Sequence, residues 1–245
     1  MKVIKDICYS ITQYPEMSLD IYLPETDSFK VFVYFHGGGL ERGSRSRAEK
    51  FAEYVTSKGI ALISADYRMY PQVIYPQFIY DSAEAISWVE KNIGEYGKCE
   101  GVYVGGSSAG AYISMMLCFD DKYLKRYGVS EGFVKGYLHD AGQPTKHFRV
   151  LEERGIDPKK AIIDETAPLY YVGEKEEYPP MMFVVSDDDI KCRYEQTLLM
   201  IATLKHHGYD ESKIHFKLMH GTHCAYVKTG EIGEIICEFM EKVSE

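Results

Sequence analysis

Three short apolar runs limit what this chain can fold into: KVFVYFH (30–36), GIALISADY (59–67) and EGVYVGG (100–106). A strand with one wet face alternates polar and apolar residues, whereas a nearly continuous run needs cover on both faces. The segments between them can supply that cover. Residues 46–58 are polar-amphipathic, and in 79–93 the residues Ile79, Ala83, Ile86, Val89 and Ile93 step by three or four, the spacing of a helix with one apolar side. AGAYISMMLCF (109–119) is apolar all round, as a helix buried beneath a sheet would be. MSLDIYL (17–23), FVKGYLH (133–139), MMFVVS (181–186) and KIHFKLM (213–219) read as further strands. A helix is expected around 192–207, and a last one carries Ile232, Ile235, Ile236, Phe239 and Val243 on one side. Strands alternating with helices predict an α/β fold with a mostly parallel central sheet and helices on both faces. Ligands of such sheets bind beyond the C-terminal ends of the strands, so the residues just after each run matter most.

With 245 residues, 45% of them hydrophobic, the chain is expected to form a single domain over 1–245. Its net charge of −9 argues against a nucleic-acid partner, which would need a basic face. The N-terminal MKVIKDICYSITQYPEM lacks the apolar core of a secretory leader, and no run of 18 apolar residues offers a membrane span. The six cysteines are scattered without a CxxC pair, so reduced thiols and a cytoplasmic setting are expected, as a monomer or homodimer. The irregular stretch 140–180 separates two strands, and 140–178 is either a lid-like insertion or a set of ordinary surface helices.

The chemistry-bearing motifs all fall at strand ends. Gly106-Ser107-Ser108-Ala109-Gly110 follows the strand at 100–106 and leads into the buried helix, the context of a nucleophile elbow. The glycine spacing selects Ser108 as nucleophile and leaves Ser107 as a turn residue. His36-Gly37-Gly38-Gly39 follows another strand, and its glycines free backbone amides to face a developing oxyanion. The expected donors are the amides of Gly38, Gly39 and Ala109, with His36 bracing the loop. A general base must come from a late histidine. In HGTHCAYVK, His223 lies four residues past the strand that ends at 219, while His220 at the strand end suits packing. His139 and His147 flank the irregular stretch and could face a pocket. For the acid, Asp187, Asp188 and Asp189 follow the strand at 181–186, and Asp140 ends the preceding strand as a competitor. No spacing marks a metal site, and the chemistry needs no cofactor.

Taken together, HGGG (36–39), ADYRMYP (65–71), GGSSAG (105–110), YPPMMFVVSDDDI (178–190) and HGTH (220–223) resemble the α/β-hydrolase superfamily. Within it the chain is similar to the acetyl-esterase/carboxylesterase group, related to hormone-sensitive-lipase-like esterases. The resemblance runs in order over nearly the whole chain. It implies an α/β-hydrolase fold, and an acid three residues after the small residue that ends its strand. Counted from Ser186, that residue is Asp189. It also implies that Asp66, Tyr67 and Arg68 brace the loop around the site. Only 35 residues precede His36, so the N-terminal cap of the lipase-like members is expected to be missing, and Leu40 stands where relatives often carry an aromatic residue.

The implied activity is a serine carboxylesterase acting on small, short-chain (acetyl-type) esters through Ser108, His223 and Asp189. A rival on the same triad is an aryl-formamidase-like amidase or small peptidase, with Phe148, Tyr170, Tyr171 and Tyr178 offering a wall for a ring. A non-catalytic binding protein of this fold is the third reading, and the intact set of Ser108, His223 and carboxylates argues against it.

Overall fold

The computed structural model describes residues 1–243. Eight strands form one sheet: β1 (Lys2–Cys8), β2 (Ser18–Leu23), β3 (Ser28–Phe35), β4 (Ile60–Ala65), β5 (Lys98–Ser107), β6 (Val134–Asp140), β7 (Met181–Asp188) and β8 (Ile214–Thr222). Their spatial order is β1-β2-β4-β3-β5-β6-β7-β8. β2 runs antiparallel to both β1 and β4, and every later pairing is parallel. This is the mostly parallel α/β sheet that the apolar runs predict.

Along β3 the pleat sorts side chains by twos. Val31, Val33 and Phe35 enter the core on one face, and Phe32 and Tyr34 enter the core on the other. All five are fully buried, which is why this strand reads as one unbroken apolar run. On the first face lie α2 (Gln77–Asn92), α3 (Ala109–Phe119) and the inner side of α6 (Arg193–His206), contributing Ile79, Ile113 and Leu204. The second face is covered by α1 (Glu49–Ser57), α7 (Ala225–Thr229) and α8 (Ile232–Lys242), through Phe51, Tyr226 and Phe239. Two short helices, α4 (Lys122–Arg126) and α5 (Phe148–Glu153), complete the set. Every residue of α3 is buried, as its all-apolar composition requires.

The strand order reverses at β3. From there the chain moves to β4 on one side, then crosses to β5 on the other. Right-handed crossovers in opposite directions place α1 and α2 on opposite faces and leave a crevice above the C-terminal ends of β3 and β5. The HGGG turn and Ser108 stand at those two ends.

Two elements depart from expectation. The sequence reading gives no strand at 2–8, yet β1 pairs there as an edge strand with a bulge between Ile4 and Ile7. Most of its residues are exposed, so it carries no apolar signal. β8 also runs to Thr222, three residues beyond the expected 219. It is the opposite edge strand, and its last residues are polar and open to solvent. Among the described residues, no helix is long and apolar enough to cross a membrane.

Candidate active site

Ser108 sits between β5 and α3 with φ 56° and ψ −112°, a left-handed backbone that a serine adopts only when its surroundings enforce it. Its amide donates to the Asp140 carbonyl at 2.7 Å, and its carbonyl accepts from the Tyr112 amide at 3.0 Å. The flanking glycines are sterically required. A Cβ on Gly110 would lie 2.0 Å from the Phe35 carbonyl oxygen, and one on Gly106 would lie 2.5 Å from the same atom. β3 and α3 therefore approach as closely as their backbones allow, which pushes the Ser108 side chain into the crevice. Ser107 stays in the strand, buried, and accepts a 3.0 Å hydrogen bond from the Tyr34 hydroxyl.

His223 is the first residue after β8 rather than four residues beyond it, because the strand is longer than expected. Its Nε2 lies 2.8 Å from Ser108 Oγ, and its Nδ1 lies 2.6 Å from Asp189 Oδ1. A carboxylate can only accept, so Nδ1 carries the proton and Nε2 is left as the acceptor for the serine hydroxyl. Burial pushes the Asp189 carboxyl upward. The hydrogen bond and charge of His223, with the Ile190 and Ser186 amides, outweigh this and hold it below the usual carboxylate range. The Ile190 amide donates to Asp189 at 2.7 Å and the Ser186 amide at 3.3 Å, so the β7 turn itself aims the side chain.

The competing residues have other partners. Asp187 accepts from His220 Nδ1 at 2.6 Å and from the Gly221 amide at 2.9 Å, at the solvent edge of β8. The His220 side chain is 89% exposed, so the packing role expected for it is wrong: at the end of an edge strand it points into water. Asp140 is fully buried and accepts from the Tyr226 hydroxyl. Burial pushes its carboxyl up to about 6, against the lowering effect of the Ser107 and Tyr226 hydroxyls. His139 and His147 are buried as well, His139 against the Ser114 hydroxyl and His147 stacked on Phe148. Burial pushes each down to about 3, so both are neutral near pH 7.

The glycine turn is equally constrained. Gly38 has φ 132°, and a Cβ there would fall 1.7 Å from the Arg42 carbonyl oxygen. The Gly38 carbonyl is used by the amides of Glu41 and Arg42, whereas the Gly38 and Gly39 amides engage no acceptor among the described residues. Ala109, at the first position of α3, contributes a helix-start amide on the Ser108 side. Fully buried His36 stacks on Tyr67 with ring centroids 4.6 Å apart, and the Tyr67 hydroxyl donates to the His36 carbonyl at 2.7 Å. Asp66 holds Arg45, and Arg68 binds Asp81 at 2.7 Å, so this segment secures the loop from beneath. Leu40 is fully buried with φ 65° and closes the turn by accepting from the Tyr70 amide at 2.9 Å.

A cavity of about 380 Å³ opens beside Ser108, bounded by the HGGG turn, His223 and Val227. From the 140–178 stretch, Phe148 lies against Gly39, while Tyr171 and Tyr178 are built into the core. Sequence reasoning missed two features here. One is Arg193, 5% exposed, which donates to the Ala141 carbonyl and pins the start of that stretch. The other is the set of basic residues around the cavity, whose signal was the run RGSRSRAEK just after HGGG.

The BD-FAE family model matches residues 19–204. The chain belongs to that family. Over 122 residues it is 28% identical to an acetyl esterase of Salmonella schwarzengrund, a stretch covering 48% of this chain and 38% of that protein. Over 106 residues it is 33% identical to the carboxylesterase NlhH of Mycobacterium tuberculosis, covering 42% of this chain and 33% of that one. The chain thus spans little more than a third of the curated relatives it matches. Solved structures extend the likeness of the BD-FAE chain over its full length. Esterase B from Lactobacillus rhamnosis superposes with TM-score 0.78 at 17% identity, covering 99% of this chain and 86% of that one. A truncated carbohydrate esterase from gut microbiota superposes with TM-score 0.79 at 17% identity, covering 100% and 97%. At such identities these two carry the fold alone.

Proposed function

We propose that this protein is a carboxylic ester hydrolase that acts on short-chain, acetyl-type esters through an acyl-enzyme on Ser108. The observation that carries the reading is the relay from Ser108 Oγ to His223 Nε2 at 2.8 Å and from His223 Nδ1 to Asp189 at 2.6 Å. As Ser108 Oγ attacks the ester carbonyl, His223 Nε2 takes the hydroxyl proton. Asp189 stabilises the imidazolium and keeps the ring in its working tautomer. The carbonyl oxygen becomes an oxyanion within reach of the Gly38, Gly39 and Ala109 amides, and a single such donor is worth ~3–4 kcal/mol in comparable sites. Collapse expels the alcohol, which receives the proton from Nε2. Water, giving its proton to His223, then attacks the acyl-serine; the acyl–Oγ bond breaks, the carboxylic acid leaves and His223 returns the proton to Ser108.

The short acyl preference rests on the size of the cavity, about 380 Å³, which suits a small ester. We assign residues 140–178 to one wall of the site, with Phe148 against the oxyanion turn, in a single catalytic domain. Contacts from Arg149 to Glu41 and from the Tyr70 hydroxyl to Glu153 tie that wall to the rest of the molecule. The six free cysteines favour a reducing, cytoplasmic setting. Of the aromatic wall that the amidase reading needs, Phe148 lies against the glycine turn, whereas Tyr171 and Tyr178 sit in the core.

Turnover of 4-nitrophenyl acetate tests the proposal. Wild type should show a burst of nitrophenolate equal to the enzyme concentration, or steady turnover if deacylation is fast. Ser108→Ala should lose both. Undiminished turnover by a folded Ser108→Ala protein would overturn it.

A further inference from the structure

The chain as a whole is acidic, with 28 basic against 37 acidic side chains, yet the cavity beside Ser108 is ringed by Arg42, Arg47, Lys50 and Lys228 and lined by no carboxylate. We propose that this cavity is an anion-binding subsite, and that the protein's own ester carries a negatively charged group, a carboxylate or phosphate, beside the scissile bond. This deepens the esterase reading and rests on it.

The four charges converge from separate parts of the chain. Arg42 leaves the HGGG turn, Arg47 lies in the short 3-10 helix Arg45–Ala48, Lys50 lies in the first turn of α1, and Lys228 comes from α7. Lys50 Nζ donates to the Lys228 carbonyl at 3.1 Å, which joins the two sides of the ring. Cations that flank the ring are neutralised by carboxylates. Arg45 is taken up by Asp6, Asp20 and Asp66. The two carboxylates next to the ring in sequence are drawn away from it, Glu41 by Arg149 and Glu49 by Lys5. Among the described residues, Arg42, Arg47, Lys50 and Lys228 make no ion pair. Half-buried Arg47 also projects its charge inward. Burial raises the Cys224 thiol and the Tyr34 and Tyr67 hydroxyls, and Arg47 opposes the rise at each. Unneutralised like charges around a concave site concentrate field at its mouth, where an anionic substrate gains both encounter rate and binding. A volume of about 380 Å³ accommodates a small ester with its charged substituent.

The experiment compares aryl acetates of similar size but different charge: 4-acetoxybenzoate and 4-acetoxyphenyl phosphate against methyl 4-acetoxybenzoate. The carboxylate makes a poorer leaving phenol than its methyl ester, so intrinsic reactivity works against the expected result. At low ionic strength kcat/KM should favour the anionic esters by about tenfold, and about 0.5 M salt should erase most of that ratio. The phosphate and carboxylate arms identify which anion fits better. Lys228→Glu and Arg42→Glu, both at exposed positions, should bring the anionic-to-neutral ratio to one or below. Lys135→Glu, at the far end of the sheet, should leave it unchanged. If all esters are hydrolysed with a ratio near one, or if Lys135→Glu lowers the ratio as much as Lys228→Glu, the subsite is refuted and the esterase reading stands. If none is hydrolysed and Ser108 takes no phosphonate label, the esterase reading fails and the subsite fails with it.

Discussion

Two Asp–His pairs stand side by side at the ends of β7 and β8, and on distance alone they are indistinguishable. Asp187 meets His220 and Asp189 meets His223, each with a nitrogen–oxygen separation of 2.6 Å. Their surroundings separate them. The side chains of the first pair are 43% and 89% exposed, while those of the second are 1% and 22% exposed. Water competes for the first pair, which is therefore a weak surface contact. In the second pair the imidazole is turned so that its other nitrogen meets Ser108, and the carboxylate is also held by two backbone amides. A charge pair becomes chemistry when enclosure fixes its geometry and a third group lies at its end.

The largest effect that would break this comparison is at Asp189. Asp189→Asn should lower kcat by about ten-thousandfold, by favouring the wrong imidazole tautomer, and steady-state kinetics on an acetyl ester would measure it. Next comes Asp140, fully buried at the end of the neighbouring strand. Its folded pKa of about 6 is above its unfolded value, so its contribution to stability is complete below about pH 4 and is lost as pH rises through 6. Asp140→Asn should remove that loss and raise stability at pH 8 relative to wild type by roughly 2–3 kcal/mol, read as denaturation midpoints at pH 4 and pH 8. A single further methyl group gives a third test. Gly38→Ala would place its Cβ against the Arg42 carbonyl and should cut kcat by about a hundredfold, the value of one misplaced oxyanion donor. The smallest effect belongs to the exposed pair. Asp187→Asn and His220→Ala should each change kcat/KM by less than about twofold and leave the denaturation midpoint close to that of wild type.

Much of this was legible in the sequence because burial on both faces leaves a strong mark. β3 to β7 appear as apolar runs, and the buried α3 as a helix with no polar side. β1 leaves no such mark, since an edge strand with bulged, exposed residues resembles a loop. For the same reason the last three residues of β8 were missed, and His223 was placed farther from its strand than it lies. The nucleophile was readable because the Gly106 and Gly110 spacing is a steric demand written into one short segment. Three adjacent aspartates looked alike, however. Choosing among them by residues alone was impossible, because the choice depends on which turn amides reach which oxygen. The basic ring around the cavity was legible only in part, through the run RGSRSRAEK. It joins Arg42 and Lys50 to Lys228 across most of the chain, and a lone surface lysine carries no trace of its distant neighbours.

The central claim is that Ser108, and not Ser107 or another hydroxyl, is the group that His223 and Asp189 activate. Labelling with a fluorophosphonate, followed by mass spectrometry of the modified peptide, tests it most directly. The account predicts one adduct per chain on Ser108, absent in Ser108→Ala and severely slowed in His223→Ala, with His220→Ala labelled as fast as wild type. An adduct on another residue, or labelling of a folded wild-type protein no faster than of His223→Ala, would contradict it.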